Sequence, residues 1–146
     1  MRDQLPAWVD VRQLAPGMHF TGSFPVAAMS RWPDPEAPGS VRLAVDVVQA
    51  PSGRMGLEVE LEADSVTRCQ RCMQEMELRV ATRLALEVVA DETEAQRISD
   101  EVDVYVAQDG RVDWRALACD EALLAWPMMP RHPAGTCDPP GDATIE

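Results

Sequence analysis

The chain has 146 residues, 46% of them hydrophobic and 26% charged, which suits one soluble domain with a single core. Its formal net charge is -12, and all of its 13 basic residues are arginine. Such an acidic chain repels a phosphate backbone at long range, which disfavours extensive electrostatic binding of nucleic acid and suits a basic protein partner better. Residues 1–6 contain no apolar signal core and no run reaches membrane-spanning length, so a cytoplasmic, reducing setting is expected.

Residues 8–15 are predicted to form a short helix or turn with Asp10 as its cap, ended by Pro16-Gly17. A short strand over 18–24 and one or two helical turns over 26–32 follow. Three prolines then make 33–39 a surface loop. Val41, Leu43, Val45 and Val47 alternate with polar or small residues and define a strand, and Pro51-Ser52-Gly53-Arg54 turns it into the next. In that strand Leu57, Val59, Leu61 and Ala63 alternate with Glu58, Glu60, Glu62 and Asp64. A third run, 76–88, has the same period of two, which means one buried and one solvated face.

The acidic stretch 87–103 reads as a solvated loop. Val102, Val104 and Val106 alternate again before the Gln108-Asp109-Gly110 turn. Asp113 caps a helix reaching Trp126, whose Leu117, Leu124, Ala116, Cys119 and Leu123 leave little polar surface and so predict burial on the sheet. The predicted class is α+β: a mainly antiparallel curved β-sheet, a C-terminal helix packed on it, and short N-terminal helical turns. A single domain, 1–137, is expected, with 138–146 as a disordered tail.

Between the 57–63 strand and the 76–88 strand lies Arg68-Cys69-Gln70-Arg71-Cys72-Met73. In a reducing setting a Cys-x-x-Cys points to metal or redox chemistry rather than to a disulfide. His132 and Cys137 supply a second pair, and Cys69, Cys72, His132 and Cys137 together make a tetrahedral complement for structural zinc. A thioredoxin-like redox pair normally opens a helix, where the helix N-terminus lowers a thiol pKa; this pair sits between strands. A redox pair and a plain hairpin with two reduced thiols remain the other readings. Cys119, among apolar helix residues, reads as packing, and His19 as structural. No phosphate-binding loop, nucleophile elbow or metalloprotease helix motif is present, so no catalytic residue is assigned and a non-enzymatic role is expected.

Cys69-Gln70-Arg71-Cys72-Met73 resembles the C-x-R-C-L signature of the YceD-like family, bacterial and plastid proteins linked to accumulation of 23S ribosomal RNA. Val112-Asp113-Trp114, then residues 120–127, Pro130, His132 and Cys137, look like that family's acidic-Leu-Leu-Leu-Pro-x-x-P-x-[HC]…C ending, with Trp126 where leucine is usual. The resemblance implies a factor promoting synthesis, processing or stability of 23S rRNA, and it supports the four-residue zinc set. A ribosomal or rRNA-processing protein is the expected partner, with Glu58, Glu60, Glu62 and Asp64 as the candidate docking row. Direct rRNA contact through Arg68, Arg71 and Arg131 is the variant. A thiol redox protein using Cys69 and Cys72, or a zinc-ribbon-like interaction module, are the rivals.

Overall fold

In the computed structural model, residues 8–28, 32, 36–98, 100–133 and 135–137 are described. The strands are β1 (Trp8–Asp10), β2 (His19–Pro25), β3 (Gly39–Gln49), β4 (Met55–Arg68), β5 (Glu75–Val89), β6 (Val104–Val106) and β7 (Arg111–Asp113); the helices are α1 (Glu92–Gln96) and α2 (Trp114–Ala125). Strands β2-β3-β4-β5 pair antiparallel in sequence order, β6 joins β5 in parallel, and β1 pairs with β7 in a separate two-stranded sheet.

The period-two pattern decides which face is buried. Val41, Leu43, Val45 and Val47 of β3 lie beside Ala63, Leu61, Val59 and Leu57 of β4, all at most 2% exposed. Helix α2 covers this inner face with Trp114, Leu117, Ala118, Cys119 and Ala122. Asp113 starts the helix as expected, its carboxylate accepting from the Ala116 N–H at 2.9 Å. Gly39 opens β3 at φ 141°, and a Cβ there would fall 2.2 Å from the Asp64 carbonyl oxygen, so the β3–β4 ladder closes only over glycine.

Several expectations are corrected. The mainly antiparallel sheet is matched in part: four strands pair antiparallel, but the five-stranded sheet is mixed, because the acidic connection after β5 turns the chain round and lays β6 beside it in the same direction. That connection contains α1, where a continuous loop was expected; Asp91 accepts from the Glu94 N–H and Glu94 accepts from the Ala90 N–H, each at 2.8 Å. Of the N-terminal helical turns, the described residues show 3₁₀ turns at Val11–Gln13 and Val26–Ala28, and Trp8–Asp10 is a strand held by its pairing with β7. Leu124 is 79% exposed rather than packed on the sheet. It shares a side of α2 with Leu117 but lies two turns later, where no described residue covers it. The expected tail, 138–146, and residues 29–31 and 33–35 of the expected turns and loop lie outside the described residues. No helix among the described residues is long and apolar enough to cross a membrane.

The polar side of α2 carries a pH-dependent stability term. Burial pushes the half-buried Glu121 carboxyl above its ordinary value of 4.5, and the charges of Asp120 and Asp103 push it the same way. The folded chain therefore holds a proton here more tightly than the unfolded chain does. This contribution is most favourable below pH 4.5 and is lost as pH rises through the folded-state value. Glu121→Gln is expected to raise the melting temperature at pH 7 and to leave it unchanged at about pH 3. A lower melt for the variant at pH 7 would show instead that the carboxylate has a stabilising partner.

Candidate metal centre

The β4–β5 hairpin closes on the pair Arg68–Glu75, leaving residues 69–74 as its loop. The backbone folds this loop into a tight knuckle: Cys69 N–H donates to the Gln74 carbonyl and Met73 N–H to the Cys69 carbonyl, both at 2.9 Å. Met73 takes the left-handed region at φ 65°, a conformation that reverses the chain after the second cysteine. The turn aims backbone N–H groups of Arg71 and Cys72 at the Cys69 sulfur, at 3.3 and 3.4 Å.

The second half of the site arrives from α2. Pro127 stops the helix, the chain bends over Met128 and Met129, and Pro130 meets the knuckle, where the Gln70 N–H donates to its carbonyl at 2.7 Å. His132 N–H adds a third donor to the Cys69 sulfur at 3.4 Å. Cys69 Sγ lies 3.7 Å from Cys137 Sγ, and Cys72 Sγ lies 3.5 Å from His132 Nδ1. One ligand atom from each of the four residues falls within 4.8 Å of every other. Zn–S bonds of about 2.3 Å in a tetrahedron place two sulfurs about 3.8 Å apart, so the donor set has the size and chemistry of a zinc site. The four side chains can hold a metal ion.

The thiols interact electrostatically. Burial alone raises the Cys69 thiol, but N–H donors from Cys72, His132 and Arg71 and the His132 side chain outweigh it and bring the pKa down to about 5. Cys137 moves the other way, pushed up by burial and by Cys69 and Cys72. Three converging sulfurs cannot all ionise without a cation, and a divalent metal is such a cation. Around them, Cys69, Cys72 and Met76 form a small buried cluster with Leu78 and Cys137, separate from the main core.

Of the three arginines expected near the clasp, Arg71 reaches Cys137 Sγ at 3.8 Å and Arg68 donates to the Met73 carbonyl at 2.9 Å, while Arg131 is exposed. Cys119 is buried in the main core, and His19 is on the outer face of the sheet, 2.6 Å from Asp46. The expected docking row lies on the same outer face with its charges largely answered. Glu60 pairs with Arg83 at 2.8 Å, and Arg42 spans Glu62 at 3.2 Å and Asp64 at 2.9 Å. Glu58 makes no ion pair with a described residue and faces Asp46 across the ladder. Sequence reasoning missed the backbone link from Gln70 to Pro130, which leaves no signal in residue type because it uses main-chain atoms.

Fold and cluster together define an α+β protein whose C-terminal segment is clasped to a β-hairpin by a three-cysteine, one-histidine site. A family model matches residues 57–144, more than half of the chain and the whole of the clasp. The chain belongs to that family, YceD, described as large ribosomal RNA subunit accumulation protein. No curated protein and no solved structure matches it.

Proposed function

We propose that this chain is a non-enzymatic ribosome-biogenesis factor that promotes synthesis, processing or stability of 23S rRNA by binding a basic ribosomal or rRNA-processing protein. The family match carries the reading, because it spans the hairpin, the clasp and α2 together. In this reading Cys69, Cys72, His132 and Cys137 hold a structural zinc ion. Four protein ligands complete a tetrahedron and leave no position for substrate, as in structural rather than catalytic sites. The net charge of -12 supports a basic partner. Engagement of Arg68 and Arg71 within the clasp supports a protein contact over direct binding of rRNA.

The low Cys69 thiol favours one rival, a redox role. Against it, Cys69 is fully buried and Cys72 is 7% exposed, whereas an attacking thiolate needs access to its target. A Cys72→Ser variant that trapped mixed disulfides would mark that role. Depletion of the protein is expected to lower 23S rRNA relative to the small-subunit rRNA, and the wild-type chain is expected to co-sediment with large-subunit precursor particles. An unchanged ratio together with no co-sedimentation would sink the ribosomal reading.

A further inference from the structure

Between β6 and α2 runs a groove of about 550 Å³. Leu86, Val104, Val106 and Leu117 give it apolar walls, and Asp120 and Glu121 give it an acidic side. Trp8 lines it too and is 46% exposed, although tryptophan is highly buried on average. The chain's own Arg111 also lines the groove, with its guanidinium 4.2 Å from the centre of the Trp8 ring.

Glu121 makes no ion pair with a described residue, and the charges of Asp103 and Asp120 act on it. This contrasts with the outer sheet row, where Arg42 and Arg83 already answer Glu60, Glu62 and Asp64. By helical periodicity the side of α2 that carries Leu117 and Glu121 continues to Leu124, and the chain beyond exposes Met128 and Met129, at 79, 97 and 60%. Exposed methionines beside carboxylates adapt well to basic amphipathic segments.

We propose that the groove between β6 and α2 is where the protein partner docks, through a segment that carries arginine and apolar side chains together. Apolar side chains enter over the half-buried Val104 and Val106, and a guanidinium meets Glu121. The inference rests on the proposed reading that the partner is a basic protein, and it moves the contact from the sheet row to this groove. A second copy of this chain is the poorer occupant, because two bodies at -12 repel each other.

The test titrates the full chain, metal-loaded, into a fluorescein-labelled amphipathic peptide of arginine and leucine. The same peptide with glutamate for arginine is the control. Wild-type protein should bind the arginine peptide only, and the backbone and indole resonances that move should be those of Trp8, Tyr105 and Glu121. Glu121→Arg should weaken binding roughly tenfold, as reversal of a contact charge does, while Glu58→Arg on the sheet row stays within about twofold. Equal binding by wild type and Glu121→Arg, equal binding of the glutamate peptide, or resonance shifts confined to the sheet row would each overturn the proposal. So would a concentration-dependent dimer that Glu121→Arg abolishes. Co-sedimentation with large-subunit precursors gives the second arm. If wild type co-sediments and Glu121→Arg does so equally, the groove is not the docking site although the ribosomal reading stands. If wild type itself does not co-sediment and depletion leaves the rRNA ratio unchanged, the ribosomal reading fails and the peptide titration alone judges the groove.

Discussion

Chelation of zinc at neutral pH is expected to release the C-terminal clasp while leaving the sheet folded. The clasp cluster of Cys69, Cys72, Met76, Leu78 and Cys137 is separate from the main core, which has its own apolar contacts between β3, β4 and α2. If zinc fills the clasp, removing it leaves that core in place, while the convergent thiols, which cannot all ionise without a cation, take up protons and lose the ion that joins them. With free zinc a thousandfold above its dissociation constant, binding to the folded state alone stabilises by about 4 kcal/mol. For a domain of this size that corresponds to a melting temperature lower by roughly 8–16 °C on chelation. Cys72→Ser should reproduce the loss, and protease should then cut within residues 127–137 while far-UV dichroism of the sheet persists. Arg71→Ala keeps all four ligands but removes the guanidinium beside Cys137, so it should bind one zinc per chain and release it faster to a chelator. Protein prepared with ample zinc that holds no metal, and melts identically with and without chelator, would remove the metal from the account.

The parts of the fold that were legible are those where a local pattern decides the outcome. Residues 57–63 and 76–88 alternate strictly, and in the folded chain β4 buries that face, while β5 buries Met76, Leu86 and Val88 and half-buries the residues between them on the same face. Asp113 and Pro127 bracket α2 because a cap and a missing donor act within one turn. The cysteines and His132 were legible as a donor set because residue type alone fixes what a side chain can ligate. What escaped depends on pairing at a distance. Trp8–Asp10 shows no period of its own, and only Arg111–Asp113, about a hundred residues on, makes it a strand. Val104–Val106 alternates, but three residues do not say which neighbour they join or in which direction. The α1 signal was local: Asp91-Glu92-Thr93-Glu94 is a capping sequence, masked by the acidity that made the stretch look like a loop. The arginines that answer the acidic row were legible too, because a meander sets Arg42 of β3 and Arg83 of β5 beside the carboxylates of β4.

Trp114→Ala is expected to be the costliest substitution in the main core, at about 3–5 kcal/mol. Trp114 is the first residue of α2, is fully buried, and sets its ring 5.2 Å from that of Phe20 on β2, so it pins the start of the helix to the sheet. Its indole Nε1 is buried with no hydrogen-bond partner among the described residues. An unmet buried donor costs about 1–3 kcal/mol, so Trp114→Phe loses ring volume but also removes that penalty. The phenylalanine variant should therefore lose roughly half as much stability as the alanine variant, or less. Urea unfolding with unchanged slopes would measure both. Equal losses would show that the indole N–H is bonded after all. The same change should reach the clasp, because α2 leads directly into Pro130 and His132, which meet the hairpin knuckle. A helix loosened at Trp114 holds that segment less firmly, so Trp114→Ala should also release zinc to a chelator faster than wild type. Trp114→Phe should release it at close to the wild-type rate, and identical release from all three proteins would mean that the clasp holds its ligands without help from the helix.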